Sequence, residues 1–125
     1  MSSFRVNVVA VNIADQQRTT PPISALVDSG SELTWLPSDV LHAIGVSPVR
    51  SRTFKTATGQ MVQRPIGYAI LRAEGYETID EVVFAEPGDT TLLGVRALEG
   101  FGVMVDYIAH RFVATTTIVA PALKC

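Results

Sequence analysis

The sequence contains a single cysteine, Cys125, at its last position. An intrachain disulfide is therefore impossible, and this thiol would need a nearby cation or helix N-terminus to become a nucleophile. The two histidines, His42 and His110, do not combine with Cys125 in a zinc-binding spacing. We expect no disulfide framework and no metal site, and we interpret both histidines as solvated surface residues.

Charged residues and long apolar runs are also scarce. Charged residues make up 18% of the chain, the net charge is −2, and no basic cluster stands out, which argues against nucleic-acid binding. Residues 1–5 lack the pattern of a signal peptide, and no apolar run is long enough to span a bilayer. The default expectation is a cytoplasmic protein without a membrane or nucleic-acid partner.

Two common motifs of enzymes are missing as well. No Gly-x-Ser-x-Gly sequence is present, which excludes an elbow-type serine hydrolase. The segment 100–102 has two glycines but lacks the third glycine of a dinucleotide loop, and it follows a helix-like stretch. We therefore expect no cofactor.

What the chain does have is apolar residues, at 47% of the total. This content argues against disorder, and a length of 125 residues suits one domain with its own core. Residues 1–125 are therefore expected to form a single domain. So much apolar surface is more than a small monomer easily hides, which indicates a partner chain.

The order of apolar and polar residues predicts an all-β domain with one or two short helices. Residues 4–12 alternate loosely, as a half-buried strand does, and two extended runs around the turn 58–60 predict a hairpin. Segment 37–45 predicts a helix of about two turns that ends at Gly45. Further strands are predicted at 23–27, 33–36, 78–84, 91–94, 103–107 and 111–119, and a short helix at 95–100.

Asp28 is the first candidate for chemistry. It closes the apolar run 25–27 and opens a sharp turn through Gly30. Taken alone, Asp-Ser-Gly is weak support for catalysis, because Asp, Ser and Gly are common turn residues for backbone reasons. For an isolated match, a plain turn is the favoured interpretation.

The surroundings of Asp28 favour a more specific hypothesis. Segment 26–31, Leu-Val-Asp-Ser-Gly-Ser, resembles the catalytic signature of the retropepsin-like aspartic proteases, and segment 92–94, Leu-Leu-Gly, resembles their second signature. The hairpin tip 57–59 lies where the family has its flap. Segment 36–46 and the final hairpin, formed by 105–106 and 111–113, resemble single-domain bacterial relatives. The resemblance covers about residues 5–115, and the order and spacing of the pieces make it fairly specific.

The resemblance implies peptide hydrolysis by two neighbouring carboxyl groups, one ionised to draw a proton from water and one protonated to bond the scissile carbonyl. Two such groups at short range cannot both ionise, so they share one proton; aspartic proteases are the standard example. Only one Asp-Ser/Thr-Gly is present, at Asp28. The second carboxylate would therefore come from a second copy across a two-fold axis, which makes the expected enzyme a homodimer.

The resemblance also implies roles for the neighbouring residues. Asp28 would be the acid or base, Ser29 would bridge to the partner's backbone, Gly30 would allow the tight turn, and Ser31 would bond Asp28 or the substrate. The flap tip, Ala57-Thr58-Gly59, would close over an extended peptide and exclude water. Leu93 and Gly94 would pack behind the catalytic turn as structural residues.

Three positions differ from the viral pattern: Ser29 stands for the commoner Thr, the flap tip is not strongly Gly-rich, and Val95 replaces a charged residue. Among the remaining candidates, Trp35 is either core or the wall of a substrate pocket. Glu32 is expected to be solvated or paired rather than to contact substrate. A last group of acidic residues is interpreted as a solvated face: Glu74, Glu77, Asp80 and Glu81.

Two other functions stay open at this stage. The same dimeric β fold could hold an extended peptide without cutting it, or serve assembly, although a pure binder has no need of two carboxylates at an axis. The chain could also be a catalytic domain of a larger protein, or one that is inactive until processed. The expectation is an aspartic endopeptidase with a bell-shaped pH optimum on the acidic side.

Overall fold

The structure, a computed structural model, describes residues 3–116. It consists mostly of strands with two short helices, which confirms the predicted all-β class. Cys125 and the predicted continuation of the last strand to residue 119 lie outside the described residues. The elements in chain order are β1 (Arg5–Val11), β2 (Ile23–Val27), β3 (Thr34–Pro37), α1 (Ser38–Ala43), β4 (Arg50–Lys55), β5 (Met61–Ala73), β6 (Tyr76–Ala85), β7 (Leu92–Leu93), α2 (Val95–Phe101), β8 (Val103–Asp106) and β9 (Arg111–Ala114).

Seven strands form one strongly curved sheet in the order β1-β2-β7-β3-β6-β5-β4. Strand β1 pairs with β2 through Arg5↔Leu26 and also with the far half of β5 through Val8↔Ala73. Because one strand pairs with both, the sheet rolls into a partly closed barrel. The remaining strands, β8 and β9, form a separate antiparallel pair.

The burial pattern explains why these segments form a barrel. In β1, Val6, Val8 and Ala10 are buried, while Arg5 and Asn7 on the opposite face are exposed. Such alternation is what a strand with one face on a core requires. Strand β5 is 13 residues long, and only its second half runs through the barrel. Its first half pairs with β4 as a projecting hairpin.

The core is divided into two clusters of buried side chains. The larger cluster fills the barrel and reaches α1 and α2; it includes Leu36, Leu41, Phe84 and Phe101. A smaller cluster, Leu33, Ile66 and Val83, lies on the hairpin side, and the half-buried Trp35 and Phe54 pack against it. The base of the projecting hairpin is therefore fixed to the barrel by apolar contacts.

The acidic residues of β6 and the preceding turn do not form one solvated face, so that prediction is wrong for two of its four members. Asp80 is 9% exposed and Glu81 is 7% exposed, whereas Glu74 and Glu77 are on the surface. Glu81 accepts a hydrogen bond from Arg50 and pairs with Arg96 at 3.3 Å. Buried charges require such partners, because an unpaired charge away from water costs several kcal/mol.

The two buried carboxyl groups respond to their surroundings in opposite ways. The hydrogen bond from Arg50 lowers the pKa of Glu81. Burial raises the pKa of Asp80, and Asp80 Oδ2 has no hydrogen-bond partner within residues 3–116. Arg96 lies 3.6 Å from the other oxygen, Oδ1. Glu81 therefore contributes stability as an anion, and Asp80 opposes folding when it is ionised.

We predict that Glu81→Gln lowers the free energy of unfolding at neutral pH by about 1–2 kcal/mol, because a hydrogen-bonded ion pair is lost and Arg50 is only half buried. Since the pKa of Glu81 is lowered by folding, its contribution is present above its ordinary pKa of 4.5 and is lost as the pH falls through the folded-state value. Urea denaturation should therefore show the two proteins converging at low pH.

The matched control is Glu77→Gln on the same strand. Glu77 pairs with Arg72 at 2.6 Å, but its side chain is 55% exposed. An exposed pair of this kind contributes little, so the expected change is below about 0.5 kcal/mol. Equal losses of stability in the two variants would contradict the assignment of Glu81 as a buried, stabilising anion.

Candidate active site

The turn that holds Asp28 follows directly from the end of β2. The Asp28 N–H donates to the carbonyl of Leu93 at 3.0 Å, and the Ser31 N–H donates to the Asp28 carbonyl at 3.2 Å. The Gly30 N–H donates to Asp28 Oδ1 at 2.9 Å. Asp28 is half-buried. The bond from Gly30 holds its carboxylate in one orientation, as expected for a short acidic side chain in a turn with a glycine.

Strand β7 supports this turn from behind. It lies between β2 and β3 and pairs with both, through Val27↔Leu93 on one side and Trp35↔Leu92 on the other. Leu93 is fully buried. The structure thus places Leu93 and Gly94 directly behind residues 28–31, and the chain of β7 crosses under the loop that joins β2 to β3.

The start of α2 is bonded to the same loop. The Val95 N–H donates to the Ser31 carbonyl at 2.7 Å, and the Arg96 N–H donates to the Glu32 carbonyl at 3.1 Å. The Gly94 N–H donates to Oγ1 of the buried Thr34 at 3.0 Å. The first amides of a helix lack partners within the helix, and here the turn beside Asp28 supplies them.

We predict that Gly94→Ala destabilises the protein by about 3 kcal/mol or more, because a Cβ there would come within 2.5 Å of the Leu33 carbonyl carbon and 2.9 Å of the Glu32 oxygen. These are backbone atoms of the loop, which cannot move without displacing the turn. Urea denaturation measures the loss. The control is Gly75→Ala, where a Cβ meets nothing within 4 Å and only the positive φ of 82° is unfavourable.

For Gly75→Ala the expected loss is about 1–2 kcal/mol, the cost of a left-handed conformation for a residue with a Cβ. If Gly94→Ala costs no more than Gly75→Ala, the close crossing behind the turn is not a structural requirement.

A cleft of about 450 Å³ opens on one side of Asp28, under the β4–β5 hairpin. Ala57, from the hairpin end, lines it together with Asp28. Thr58 and Gly59 lie further out at the exposed tip, where Gly59 has a φ of 86° and its N–H donates to the Thr56 carbonyl. Of the three predicted flap residues, the structure therefore brings one to the same cleft as Asp28.

Trp35 forms part of the cleft wall. Its ring lies edge-on to Phe54 at 4.9 Å, and a second cavity of about 430 Å³ continues past it, sharing Trp35, Ala57 and Leu92 with the first. From sequence, Trp35 is interpreted either as a core residue or as the wall of a pocket. It is both, because it packs against the small core cluster and also lines the cleft.

A charged pair joins the floor of the cleft to the hairpin. Glu32, next to the Asp28 turn, pairs with Arg52 of β4 at 3.3 Å. The Arg52 guanidinium also lies 5.4 Å from the centre of the Phe54 ring and 4.0 Å from Glu81. Glu32 is thus paired, as expected. Because the Glu32 side chain is 61% exposed, this ion pair adds little to the stability of the fold. Its main effect is to orient the Glu32 and Arg52 side chains.

A different surface lies on the other side of Asp28. A cavity of about 420 Å³ is lined by Ser3, residues 26–30 and Tyr107. Tyr107 Oη donates to Ser29 Oγ at 2.8 Å and accepts from the Ser29 N–H at 3.3 Å. The sequence analysis did not identify Tyr107 as a residue of the site. Seventy-eight positions separate it from Ser29, and no local pattern indicates a contact over that distance.

Ser31 and the histidines complete the account of the predicted residues. The Ser31 hydroxyl donates to the Leu33 carbonyl at 2.9 Å and braces the loop. Ser31 contacts Asp28 through its backbone N–H, which donates to the Asp28 carbonyl. His42 is exposed on α1 and its ring contacts Phe84. His110 is exposed after β8 and stacks on Phe4. Neither histidine lines the cavities that contain Asp28.

A larger cavity, of about 580 Å³, lies away from Asp28 between α1 and the loop after β6. Its lining includes Asp39, His42 and Asp89. Asp89 is held by two hydrogen bonds from Arg64, at 2.8 and 3.0 Å, and these lower its pKa. We place the candidate site at Asp28, where the Asp-Ser-Gly turn meets the cleft under the β4–β5 hairpin.

Between residues 3 and 116, no three His, Cys, Asp or Glu side chains are grouped so that they could hold a metal ion. Over the same residues, neither helix has the length and apolar character needed to cross a membrane.

The barrel, the strand β7 between β2 and β3, and the projecting hairpin define the fold of the retropepsin-like proteases. The structure is similar to the solution structure of the simian foamy virus (mac) protease, with a TM-score of 0.52 and 21% identity over 76% of this chain and 91% of that one. No protein-family model matches the sequence, and no curated protein matches it.

Two larger foamy viral proteins contain a similar domain. They are a protease-reverse transcriptase solved with double-stranded DNA and one solved with an RNA/DNA hybrid, with TM-scores of 0.53 and 0.52. Identities are 16% and 14%, and the matches cover 77% and 94% of this chain but only 15% and 14% of those chains. At these identities the similarity establishes the fold alone, and the narrower likeness to bacterial single-domain members stays a prediction.

Proposed function

We propose that this protein is an aspartic endopeptidase that works as a homodimer, with Asp28 of each subunit forming the catalytic pair. The observation that carries the proposal is the position of Asp28: it directly follows β2 of a retropepsin-like fold, is bonded to the Leu93 carbonyl behind it, and lines the cleft under the hairpin. No other Asp in the sequence begins an Asp-Ser/Thr-Gly turn.

The proposed mechanism needs one proton on the Asp28 pair. One carboxylate accepts a proton from a water molecule, which attacks the scissile carbonyl carbon, while the protonated partner donates to the carbonyl oxygen. The proton taken from water then passes to the departing amine. The bond from the Gly30 N–H supports this role, because it fixes Oδ1 and directs the carboxylate without a cationic partner.

A second copy would supply what the single chain lacks. For two Asp28 carboxylates to meet at an axis, the adjacent and exposed Ser29 must also approach its counterpart. Its hydroxyl and N–H would then bond across the axis and hold the two turns together. This supports the homodimer as part of the same proposal.

The proposed substrate is an extended polypeptide that lies between the hairpin and the floor. Leu33, Trp35, Phe54 and Leu92 give the cleft an apolar wall, while Glu32, Arg52 and Lys55 stand along it. A strand-like substrate would be held by backbone hydrogen bonds, and the apolar pockets would set side-chain preference. The hairpin tip, Ala57-Thr58-Gly59, would close over it.

We predict that Asp28→Asn abolishes peptide cleavage, with a loss of roughly a thousandfold or more, because the amide keeps the shape but cannot share a proton. A peptide library screened from acidic to neutral pH, with mass spectrometry of the products, measures the loss and should give a bell-shaped profile for the unmodified protein. Asp39→Asn is the control, since Asp39 is an exposed residue of α1 outside the cleft.

Two results would contradict the proposal. The first is cleavage by Asp28→Asn at the rate of the unmodified protein. The second is a peptide that binds tightly and stays intact over the whole pH range, which would favour the alternative of a peptide-binding or assembly module on the same fold.

A further inference from the structure

We infer that Tyr107 opposes assembly: in the single chain its hydroxyl occupies the Ser29 groups that a second copy must bond, so Tyr107 sets the protein concentration at which the enzyme becomes active. The inference rests on the proposed function, because it concerns the regulation of the same site.

The contact engages both polar groups of Ser29 that face this side. Tyr107 Oη donates to Ser29 Oγ at 2.8 Å and accepts from the Ser29 N–H at 3.3 Å. The N–H has a single hydrogen and cannot serve Tyr107 and a partner chain with full strength at once. In the proposed dimer the partner's turn would therefore have to displace the phenol.

The position of the phenol is fixed by its own chain. Tyr107 follows β8 directly, and Asp106 Oδ1 accepts hydrogen bonds from the N–H groups of Ile108 and Ala109, at 3.0 and 2.9 Å, which close the turn after it. These backbone bonds lower the pKa of Asp106. The Tyr107 ring also packs edge-on against Phe4 at 6.0 Å. The contact with Ser29 is therefore built into the β8–β9 turn.

The surface around this contact fits a second copy of the chain. Ser29 and Tyr107 together line two cavities, the one beside Asp28 and another of about 260 Å³ against α2 and β8. The second cavity is largely apolar, with Val95, Leu98 and Met104 in its lining, and Met104 is 65% exposed. A face that is continuous with an incomplete catalytic site and apolar at its edge is the face that pairing of two Asp28 turns would cover.

The size of the effect follows from mass action. A neutral hydrogen bond changes an equilibrium constant by roughly twofold to twelvefold. Tyr107 makes two such bonds to Ser29 in each subunit, and both subunits release them on pairing, so the effects multiply. Because anything that stabilises only the unpaired state weakens assembly, removing the hydroxyl should strengthen it.

The test is Tyr107→Phe, which keeps the ring against Phe4 and removes only the hydroxyl. Sedimentation over a concentration series should show the dissociation constant of the dimer falling by roughly tenfold or more, because the bonds of the Tyr107 hydroxyl are lost in both subunits. The protein concentration at half-maximal cleavage should fall by the same factor. Tyr76→Phe is the control, since that ring packs on Phe101 and Phe112 and should change neither value.

The sign of the change separates this inference from a merely supporting role. If Tyr107 only braced the turn, Tyr107→Phe would lower both the unfolding free energy of the single chain and the tendency to dimerise. Opposition to assembly predicts the first effect together with tighter dimers. Unchanged or weaker association of Tyr107→Phe, or no association of either protein, would overturn the inference.

Association is measured without reference to cleavage, so the two proposals can fail separately. Tighter dimers of Tyr107→Phe that cut no peptide would contradict the proposed function and leave the opposition by Tyr107 intact. Cleavage that depends on Asp28, with the same concentration dependence in both proteins, would support the function and contradict the role of Tyr107.

Discussion

The hydrogen bond from the Asp28 N–H to the Leu93 carbonyl is the constraint on which the candidate site depends. It exists only because β7 lies between β2 and β3, which brings residues 57 to 66 positions apart in sequence into one sheet. Gly94 makes this possible, because the chain passes too close to the Leu33 backbone for any side chain. The turn, the start of α2 and the buried Thr34 then share one set of bonds.

Ion pairs connect the hairpin to this core, and their carboxylates become more exposed from Glu81 to Glu32. Arg50 bonds the buried Glu81, Arg52 lies between Glu81 and the exposed Glu32, and Glu32 borders the Asp28 turn. In the inner pair the Glu81 carboxylate is buried and needs its partner, while both members of the outer pair are in contact with water, which screens the pair and makes it easily broken. The ion pair at the base of the hairpin, between Arg50 and Glu81, is therefore stronger than the exposed pair between Arg52 and Glu32.

The sequence predicted the local elements well because their signals are local. The Asp28 turn, the short helix that precedes Gly45 and the hairpin around Gly59 follow from apolar runs and turn residues within a few positions. Asp80 and Glu81 could not be recognised as buried, since their partners Arg50, Arg52 and Arg96 lie on other elements. Tyr107 was missed for the same reason, because its contact depends on where α2 places β8.

Tyr107 lies in the turn between β8 and β9, two strands that are separate from the barrel sheet, and this separation decides how its contact with Ser29 can be broken. The two strands pair only with each other among the described residues, and they are joined to the barrel through α2 and through packing of Phe112 on Phe4. A phenol on such an element can leave Ser29 without breaking any barrel hydrogen bond. Asp28, by contrast, is bonded to the centre of the barrel sheet and keeps its orientation. If Ser29 gave up its hydrogen bonds to Tyr107 and bonded a second copy instead, the Asp28 carboxylate would stay in place. Pairing would then complete the proposed site without rearranging the Asp28 turn.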